Sequence, residues 1–111
     1  MRPVRVRSRA QFAALRSAGR RSRRRALQVT FVPTAGPPAV AYAIGWAVGT
    51  AVVRNRLRRR LRAIVAGLDL PGGTYLIAVS PGAAGFGSAE LAIDLAACLA
   101  DLDTVRSGLQ R

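Results

Sequence analysis

Residues 54–62 contain six arginines within nine residues and no acidic residue. On an α-helix, Arg54, Arg58 and Arg62 would lie on one line at intervals of four residues. Asn55 and Arg59 would lie on the line beside it. Like charges at this spacing destabilise an isolated helix by about 0.2–0.5 kcal/mol per pair. Phosphate groups along the helix would remove that repulsion, so the run predicts a nucleic-acid-binding surface, with a merely solvated basic face as the alternative.

Residues suited to catalysis are scarce by comparison. The chain has no histidine, the side chain best suited to proton transfer near neutral pH. Its one cysteine, Cys98, falls on the predicted apolar stripe of the last helix, where an unreactive buried thiol is expected. Glu90, Asp94 and Asp101 share a face of that helix, which we interpret as solvated. We therefore predict neither a catalytic residue nor a metal site.

Charge is unevenly distributed along the chain. The net charge is +13, and the first 68 residues hold 16 of the 18 basic residues and none of the five acidic ones. A compact domain with this charge repels itself unless a polyanion neutralises it. One part of the protein is therefore expected to face an anion, and the remainder to have an ordinary solvated surface.

Length and composition favour a cytoplasmic protein with a single RNA-binding domain over residues 1–111. One cysteine excludes an intrachain disulfide, which suits a reducing compartment. The longest apolar run, residues 39–53, is shorter than the roughly 20 residues needed to cross a bilayer, so it is not expected to span a membrane. No membrane partner is predicted, and a basic protein bound to a membrane surface is kept as an alternative. An arginine-rich, acid-free beginning also occurs in mitochondrial transit peptides, but here the arginines continue into folded sequence.

The arginine run must be positioned by a helix, which we predict over residues 51–66. Thr50 is a suitable N-cap, and Gly67 is expected to end the helix in the left-handed conformation. Apolar residues recur every three or four positions and would face a core; they are Val53, Leu57, Leu61, Ile64 and Leu68.

A second, shorter helix is predicted near the start of the chain. Ser8 and Gln11 match a capping box, and Gly19 is placed to end the helix. Phe12 and Leu15 are its large apolar residues.

The remaining elements predict the fold class. Strands are expected over 26–32, 39–44 and 74–79, a basic loop over 20–25, and a last helix capped by Ser88. The order of helix, strands, helix, strand and helix predicts an α/β (α+β) two-layer sandwich with helices packed on one small mixed sheet.

Residues 49–62 resemble the signature of the bacterial ribonuclease P protein family. Its members carry a Gly-Asn-Ala-Val-x-Arg-Asn-Arg pattern followed by basic amphipathic sequence, and residues 49–56 here are Gly-Thr-Ala-Val-Val-Arg-Asn-Arg. Residues 5–12 are similar to the opening of the family, and residues 75–79 and the helix from Ser88 fall where its last strand and helix fall. The resemblance thus covers most of the chain.

This resemblance implies the protein subunit of ribonuclease P, whose partners are the catalytic RNA and the 5′ leader of precursor tRNA. The RNA, with Mg²⁺ bound mainly by it, would remove the leader, and the protein would be a non-catalytic subunit of the endoribonuclease. No obligate protein partner is implied. The family fold is ribosomal-protein-like, and its basic helix joins two parallel strands by a left-handed crossover, against the usual hand.

The resemblance also assigns roles to residues. Contacts with the catalytic RNA are assigned to Arg54, Asn55, Arg56, Arg58, Arg59 and Arg62. The leader would run in a cleft between the first helix and the sheet, where an aromatic ring can stack on an unpaired base. Leader-binding residues are Phe12, Arg5, Arg7, Arg9 and Arg16. From the residues alone, Phe12 is equally well explained as a core residue.

Five positions depart from the family pattern. Trp46 and Ala47 stand where two lysines are usual, and Thr50 stands where asparagine is usual. Ser80 replaces an arginine expected after the last strand, and Arg16 replaces a second aromatic residue of the first helix. Trp46 is suited to stacking on a base or to covering the edge of the sheet, and we favour the edge.

A structural RNA-binding protein, such as a small ribosomal component, is the main alternative function. It shares the charge and the small fold, and it would bind RNA without stimulating 5′ processing of tRNA. A standalone nuclease is disfavoured because the chain lacks histidine and metal-ligand spacing.

Overall fold

The computed structural model describes the backbone of residues 3–110 and the side chains of residues 3–102. The regular elements, in chain order, are β1 (Val4–Arg5), α1 (Arg9–Ala18), β2 (Arg20–Arg24), β3 (Leu27–Val32), β4 (Ala39–Ile44), α2 (Ala51–Ala66), β5 (Thr74–Val79) and α3 (Ser88–Gln110). Short 3₁₀ turns, Trp46–Val48 and Pro81–Gly85, precede α2 and α3. Residues 1, 2 and 111 of the expected domain lie outside the described residues.

All five strands form one mixed sheet in the order β1-β4-β5-β3-β2. Strands β4 and β5 are parallel neighbours, with Ala39 opposite Thr74 and Ile44 opposite Val79. Strand β3 is antiparallel to both β5 and β2, and β1 is parallel to β4. The predicted mixed α/β fold is confirmed, and α2 joins the two parallel strands as expected. The left hand of that crossover stays a prediction from the resemblance.

The core lies between one face of the sheet and the two longer helices. Alternation along β3 turns Leu27, Val29 and Phe31 to this face, and all three are buried. The helices contribute Leu57, Leu61, Val65, Leu91, Leu95, Cys98 and Leu102. Of the predicted α2 stripe, Ile64 is only partly buried, and Val65 takes the deeper position. Among the described residues, no helix is both long and apolar enough to cross a membrane.

Helix α1 packs on the opposite face of the sheet, where it covers β3 and β5 in part. Its capping box is confirmed: the Gln11 N–H donates to Ser8 Oγ over 3.1 Å, and the Ser8 N–H donates to Gln11 Oε1 over 3.0 Å. Leu15 is its buried residue. Gly19 ends the helix where a side chain would collide with Thr30 of β3, so glycine permits this close approach.

The prediction of a basic loop over residues 20–25 is wrong, because Arg20–Arg24 forms strand β2 and pairs with β3. Contacts with residues that are distant in sequence determine the structure of this segment. Ser22 Oγ donates to Asp101 Oδ2 over 2.9 Å, and Arg24 Nη2 lies 2.7 Å from the same oxygen. The strand is therefore held against α3 by polar contacts that its own composition does not show.

The acidic face of α3 is not simply solvated, which corrects our interpretation of it. Arg25, at the tip of the β2–β3 hairpin, donates to both carboxylate oxygens of Asp94 over 2.9 and 3.0 Å. Glu90 lies 3.5 Å away, and the Arg25 guanidinium stacks over the Phe86 ring at 4.7 Å. The hydrogen bonds with Asp94 raise the pKa of Arg25. Arg25 keeps a φ of +51° at this turn, and these contacts offset the cost of that conformation.

Three smaller expectations also fail. Gly67 ends α2 in a right-handed conformation, with φ −88° and ψ 0°, because its N–H closes a tight last turn onto Ile64 and Val65 carbonyls. Gly87, and not Ser88, precedes α3, since the Gly87 carbonyl accepts the first helical hydrogen bond. Trp46 does not cover the edge of the sheet, because its side chain is 84% exposed.

Replacing Leu61 with alanine is expected to lower the free energy of unfolding by about 2–5 kcal/mol, because Leu61 is fully buried between α2 and the sheet. Urea unfolding followed by circular dichroism would measure the change. Val52→Ala on the same helix, at a side chain that is 65% exposed, should change it by less than about 0.5 kcal/mol. Equal losses in the two variants would contradict this packing.

Candidate nucleic-acid interface

Helix α2 is fixed to the core along one side, which determines how its arginines are displayed. Thr50 caps it as predicted, because Thr50 Oγ1 accepts a hydrogen bond from the Val53 N–H over 3.3 Å. Leu57 and Leu61 are buried against the sheet. The charged side chains therefore lie on two flanks and on the outer surface of the helix.

The arginines of α2 are not neutralised by acidic side chains. Within the side chains of residues 3–102, the ion pairs involve only Arg24 and Arg25 of the hairpin. On α2, Arg58 Nη1 instead donates to Asn55 Oδ1 over 3.0 Å, and Arg60 Nη1 lies 3.4 Å from the Phe86 carbonyl oxygen. These neutral partners hold the guanidinium groups in place and leave their charge available to an external anion.

One flank of α2 forms a basic groove together with the start of the chain. Strand β1 lies beside β4, and this pairing brings Arg5 next to α2. The groove, of about 560 Å³, is lined by Arg5, Asn55, Arg58, Arg59 and Arg62. Five polar side chains, four of them guanidinium groups, thus surround one space, which suits the phosphate groups of a nucleic acid.

The other predicted RNA-binding residues lie apart from this groove. Arg56 is on the opposite flank and lines a separate space of about 350 Å³ near Phe86. Arg54 is half-buried, and its Nε has no hydrogen-bond partner among the described residues. A buried donor left unpaired costs about 1–3 kcal/mol, so an acceptor supplied by a ligand would relieve it. Of the predicted RNA-binding residues, four therefore line the basic groove, Arg56 lies on the opposite flank, and Arg54 is half-buried.

An aromatic groove adjoins the basic one. Its volume is about 570 Å³, and it contains Phe12 from α1, Tyr42 from β4, and Arg5, Arg58 and Arg62 from the basic groove. Phe12 is 38% exposed, and Leu15 takes the buried position of α1. Phe12 therefore lines the groove and is not part of the core. A groove with aromatic rings beside guanidinium groups can hold both the bases and the phosphates of a single strand.

Tyr42 is a groove residue that the sequence analysis missed. Its ring lies 5.8 Å from the Arg62 guanidinium carbon, within the range of a cation–π contact. Burial raises the pKa of Tyr42, and the positive charge of Arg62 opposes that rise. Along β4, Tyr42 lies on the same face as the core residues Val40 and Ile44, so its sequence position is that of a core residue. Only the placement of α2 beside the sheet reveals the contact with Arg62.

Three predicted leader-binding residues are not brought into these grooves. Arg7, Arg9 and Arg16 are exposed around α1, and none of them lines the basic or the aromatic groove. Of the leader-binding set, the structure therefore places Phe12 and Arg5 beside the arginines of α2.

Two further features bear on chemistry: the grouping of possible metal ligands and the environment of the one thiol. Within residues 3–102, no group of three or more histidine, cysteine, aspartate or glutamate side chains could hold a metal ion. Cys98 is buried on the apolar side of α3. Burial raises the pKa of its thiol, and a hydrogen bond with Ser22 opposes that rise.

Comparison with known proteins gives concordant results. The sequence matches the family model Ribonuclease P over residues 1–103, and no curated protein sequence matches. The fold is similar to RNase P protein from Staphylococcus aureus, with a TM-score of 0.80 at 16% identity, covering 91% of this chain and 96% of that one. A mutant of that protein with defective mRNA degradation activity also has a TM-score of 0.80 at 16% identity, covering 89% and 87%. RNase P protein from Thermotoga maritima has a TM-score of 0.75 at 18% identity, covering 86% and 94%.

Cys98 is expected to resist alkylation in the folded protein. Its side chain is buried, and the raised pKa keeps the reactive thiolate scarce at neutral pH. Iodoacetamide treatment followed by mass spectrometry should show an unmodified chain, and full modification after unfolding in guanidinium chloride. Rapid modification of the native protein would contradict the inert role of this residue.

Proposed function

Because the chain belongs to the ribonuclease P protein family, we propose that it binds the catalytic RNA of ribonuclease P and the 5′ leader of precursor tRNA. Proteins of this family are components of an endoribonuclease that processes tRNA. The observation that carries the proposal is the pair of adjoining grooves, in which Phe12 and Tyr42 lie beside unneutralised arginines of α2.

The basic groove is the proposed docking surface for the catalytic RNA. Each phosphate that an arginine neutralises releases condensed counterions, which drives association and makes it dependent on salt. Arg58 and Arg59 are held on the rigid helix, and Arg5 reaches the same space from β1. The hydrogen bond from Arg58 to Asn55 already restricts one of these side chains, which reduces the side-chain entropy lost when the RNA binds.

The aromatic groove is the proposed path of the single-stranded leader. Phe12 and Tyr42 offer ring faces, on which bases of any sequence can stack, and Arg62 lines both grooves. A leader in the aromatic groove would therefore lie directly beside the catalytic RNA in the basic groove. This adjacency would hold the leader in a fixed position relative to the RNA, and positioning of this kind lowers the entropic barrier to cleavage.

Hydrolysis itself is proposed to belong to the RNA, with Mg²⁺ bound mainly by RNA phosphates. The protein would contribute through its charge: guanidinium groups reduce the repulsion between phosphates of the catalytic RNA and of the substrate. Mg²⁺ would then be needed at a lower concentration for the same degree of assembly.

The experiment that tests the proposal is reconstitution. The full chain is mixed with a bacterial ribonuclease P RNA and precursor tRNA at low Mg²⁺, and release of the 5′ leader is followed on a gel. The proposal expects cleavage that the RNA alone does not achieve under the same conditions. Binding of RNA without any stimulation of cleavage would instead indicate a structural RNA-binding protein.

Arg62→Ala should weaken binding of the catalytic RNA and reduce its salt dependence, because one phosphate contact is lost. The log–log slope of affinity against salt should fall by about 0.7–0.9. Arg24→Ala removes the same formal charge, but Asp101 already neutralises this arginine, so its slope should match the unaltered protein. Identical slopes for the two variants would refute the assignment of Arg62 to the RNA surface.

Phe12→Ala should reduce affinity for precursor tRNA in the reconstituted complex by about 1–3 kcal/mol, because the leader loses a stacking partner. Mature tRNA lacks the leader and serves as the matched control, so its affinity should not change. Phe12→Tyr should restore binding, since it keeps the ring. An equal loss for both tRNAs would show that Phe12 acts through the fold and not through the leader.

A further inference from the structure

Trp46 is the most exposed large apolar side chain among the described residues, at 84% of its surface. It is also the only tryptophan of the chain. Single exposed apolar residues are common, so exposure alone assigns nothing to it. The backbone that holds Trp46 and the charges around it distinguish it from an ordinary exposed residue.

The backbone around Trp46 is rigidly held. Trp46 begins the 3₁₀ turn Trp46–Val48, in which the Val48 N–H donates to the Gly45 carbonyl over 3.1 Å. The Gly49 N–H donates to the Trp46 carbonyl over 3.2 Å, and the buried side chain of Val48 anchors the turn. The turn also packs against the one that precedes α3. Because this backbone is already fixed, little backbone entropy is lost when a ligand binds to the indole ring.

The surroundings of Trp46 favour an anionic partner. The turn leads directly into α2, so Trp46 lies at the N-terminal end of the helix that carries Arg59 in the basic groove and Arg56 on the opposite flank. No acidic residue occurs in the first 68 residues of the chain. A second copy of the chain would bring another charge of +13 against this surface, which opposes self-association there.

We propose that Trp46 is a stacking platform for an unpaired nucleobase of RNA that is docked on the arginines of α2. This inference rests on the proposed function, and it adds a base contact to a helix that otherwise meets phosphates. The indole ring has the largest π-face of any side chain, and a base that stacks on it removes both surfaces from water. Because every base has such a face, the contact selects unpaired RNA without selecting its sequence.

The intrinsic fluorescence of Trp46 tests the contact directly, because no other tryptophan contributes to the signal. Single-stranded RNA should quench it as bases stack on the ring. Inorganic polyphosphate, a polyanion without bases, should bind the arginines and leave the emission nearly unchanged. Equal quenching by polyphosphate would overturn the inference. Insertion into phosphatidylglycerol vesicles would instead shift the emission maximum of Trp46 to the blue. If that spectral change is larger than the one that RNA causes, the inference is overturned in favour of a lipid surface.

Variants measure how much the contact contributes. Trp46→Ala should weaken binding of a fluorescein-labelled single-stranded RNA by about 5- to 150-fold, the range expected for one stacked base. The salt slope should stay unchanged, since no phosphate contact is lost. Trp46→Phe should retain most of the affinity. Val52→Ala removes an exposed apolar side chain of the first turn of α2 that cannot stack, and should alter affinity by less than about twofold.

The outcomes separate this inference from the proposed function. If Trp46→Ala binds the labelled RNA as tightly as the unaltered protein, the stacking role is overturned and the proposed function is left intact. The same holds if anisotropy shows that RNA binds the unaltered protein while the Trp46 fluorescence is not quenched. A loss in Val52→Ala equal to that in Trp46→Ala would indicate a general apolar contact and would also overturn it. Failure of the unaltered protein to bind any RNA would overturn both.

Discussion

The structure depends on how a few negative charges are distributed among many positive ones. The acidic residues Glu90, Asp94 and Asp101 of α3 contact the β2–β3 hairpin, where they neutralise Arg24 and Arg25. These pairs hold the hairpin strand against the last helix. Since these carboxylates are engaged there, the arginines of α2 keep their full charge. Folding thus concentrates positive charge on one surface instead of distributing it evenly, and a polyanion is the natural complement of such a surface.

The grooves follow from the short length of β1. This strand pairs with β4 only at Ala39 and Val40, and among the described residues no strand continues along the outer edge of β4 beyond them. The chain leaves that edge to form α1, which places Phe12 on one side of the opening, while Tyr42 and α2 border the other. An open strand edge is ordinarily a liability for aggregation, and the flanking guanidinium groups protect it by repelling other copies. The same charges make the opening suitable for a nucleic acid.

Local signals in the sequence were sufficient for much of the fold. The predicted bounds of β4, α2 and β5 agree with the structure, because caps, glycines and apolar periodicity act over a few residues. Strand β2 could not be predicted in this way. Its arginine-rich composition is atypical of a strand, and its stability comes from β3 and from Asp101, which lies 79 residues from Ser22 in sequence. The prediction that Trp46 covers the edge of the sheet failed for a similar reason, because the exposure of a side chain depends on what the rest of the chain leaves uncovered.

By itself, the sequence determined the charge asymmetry, the helix that carries the arginines and the side of that helix that is buried. It also contained the resemblance that the family match bears out. Only the tertiary structure decided which arginines share a space: Arg5 joins Arg58 and Arg62, whereas Arg56 lies on the other flank and Arg54 is half-buried. The physical reason is the sequence separation over which each kind of interaction acts. Helical periodicity relates residues three or four positions apart, whereas a groove is defined by residues that strand pairing and packing bring together from distant parts of the chain.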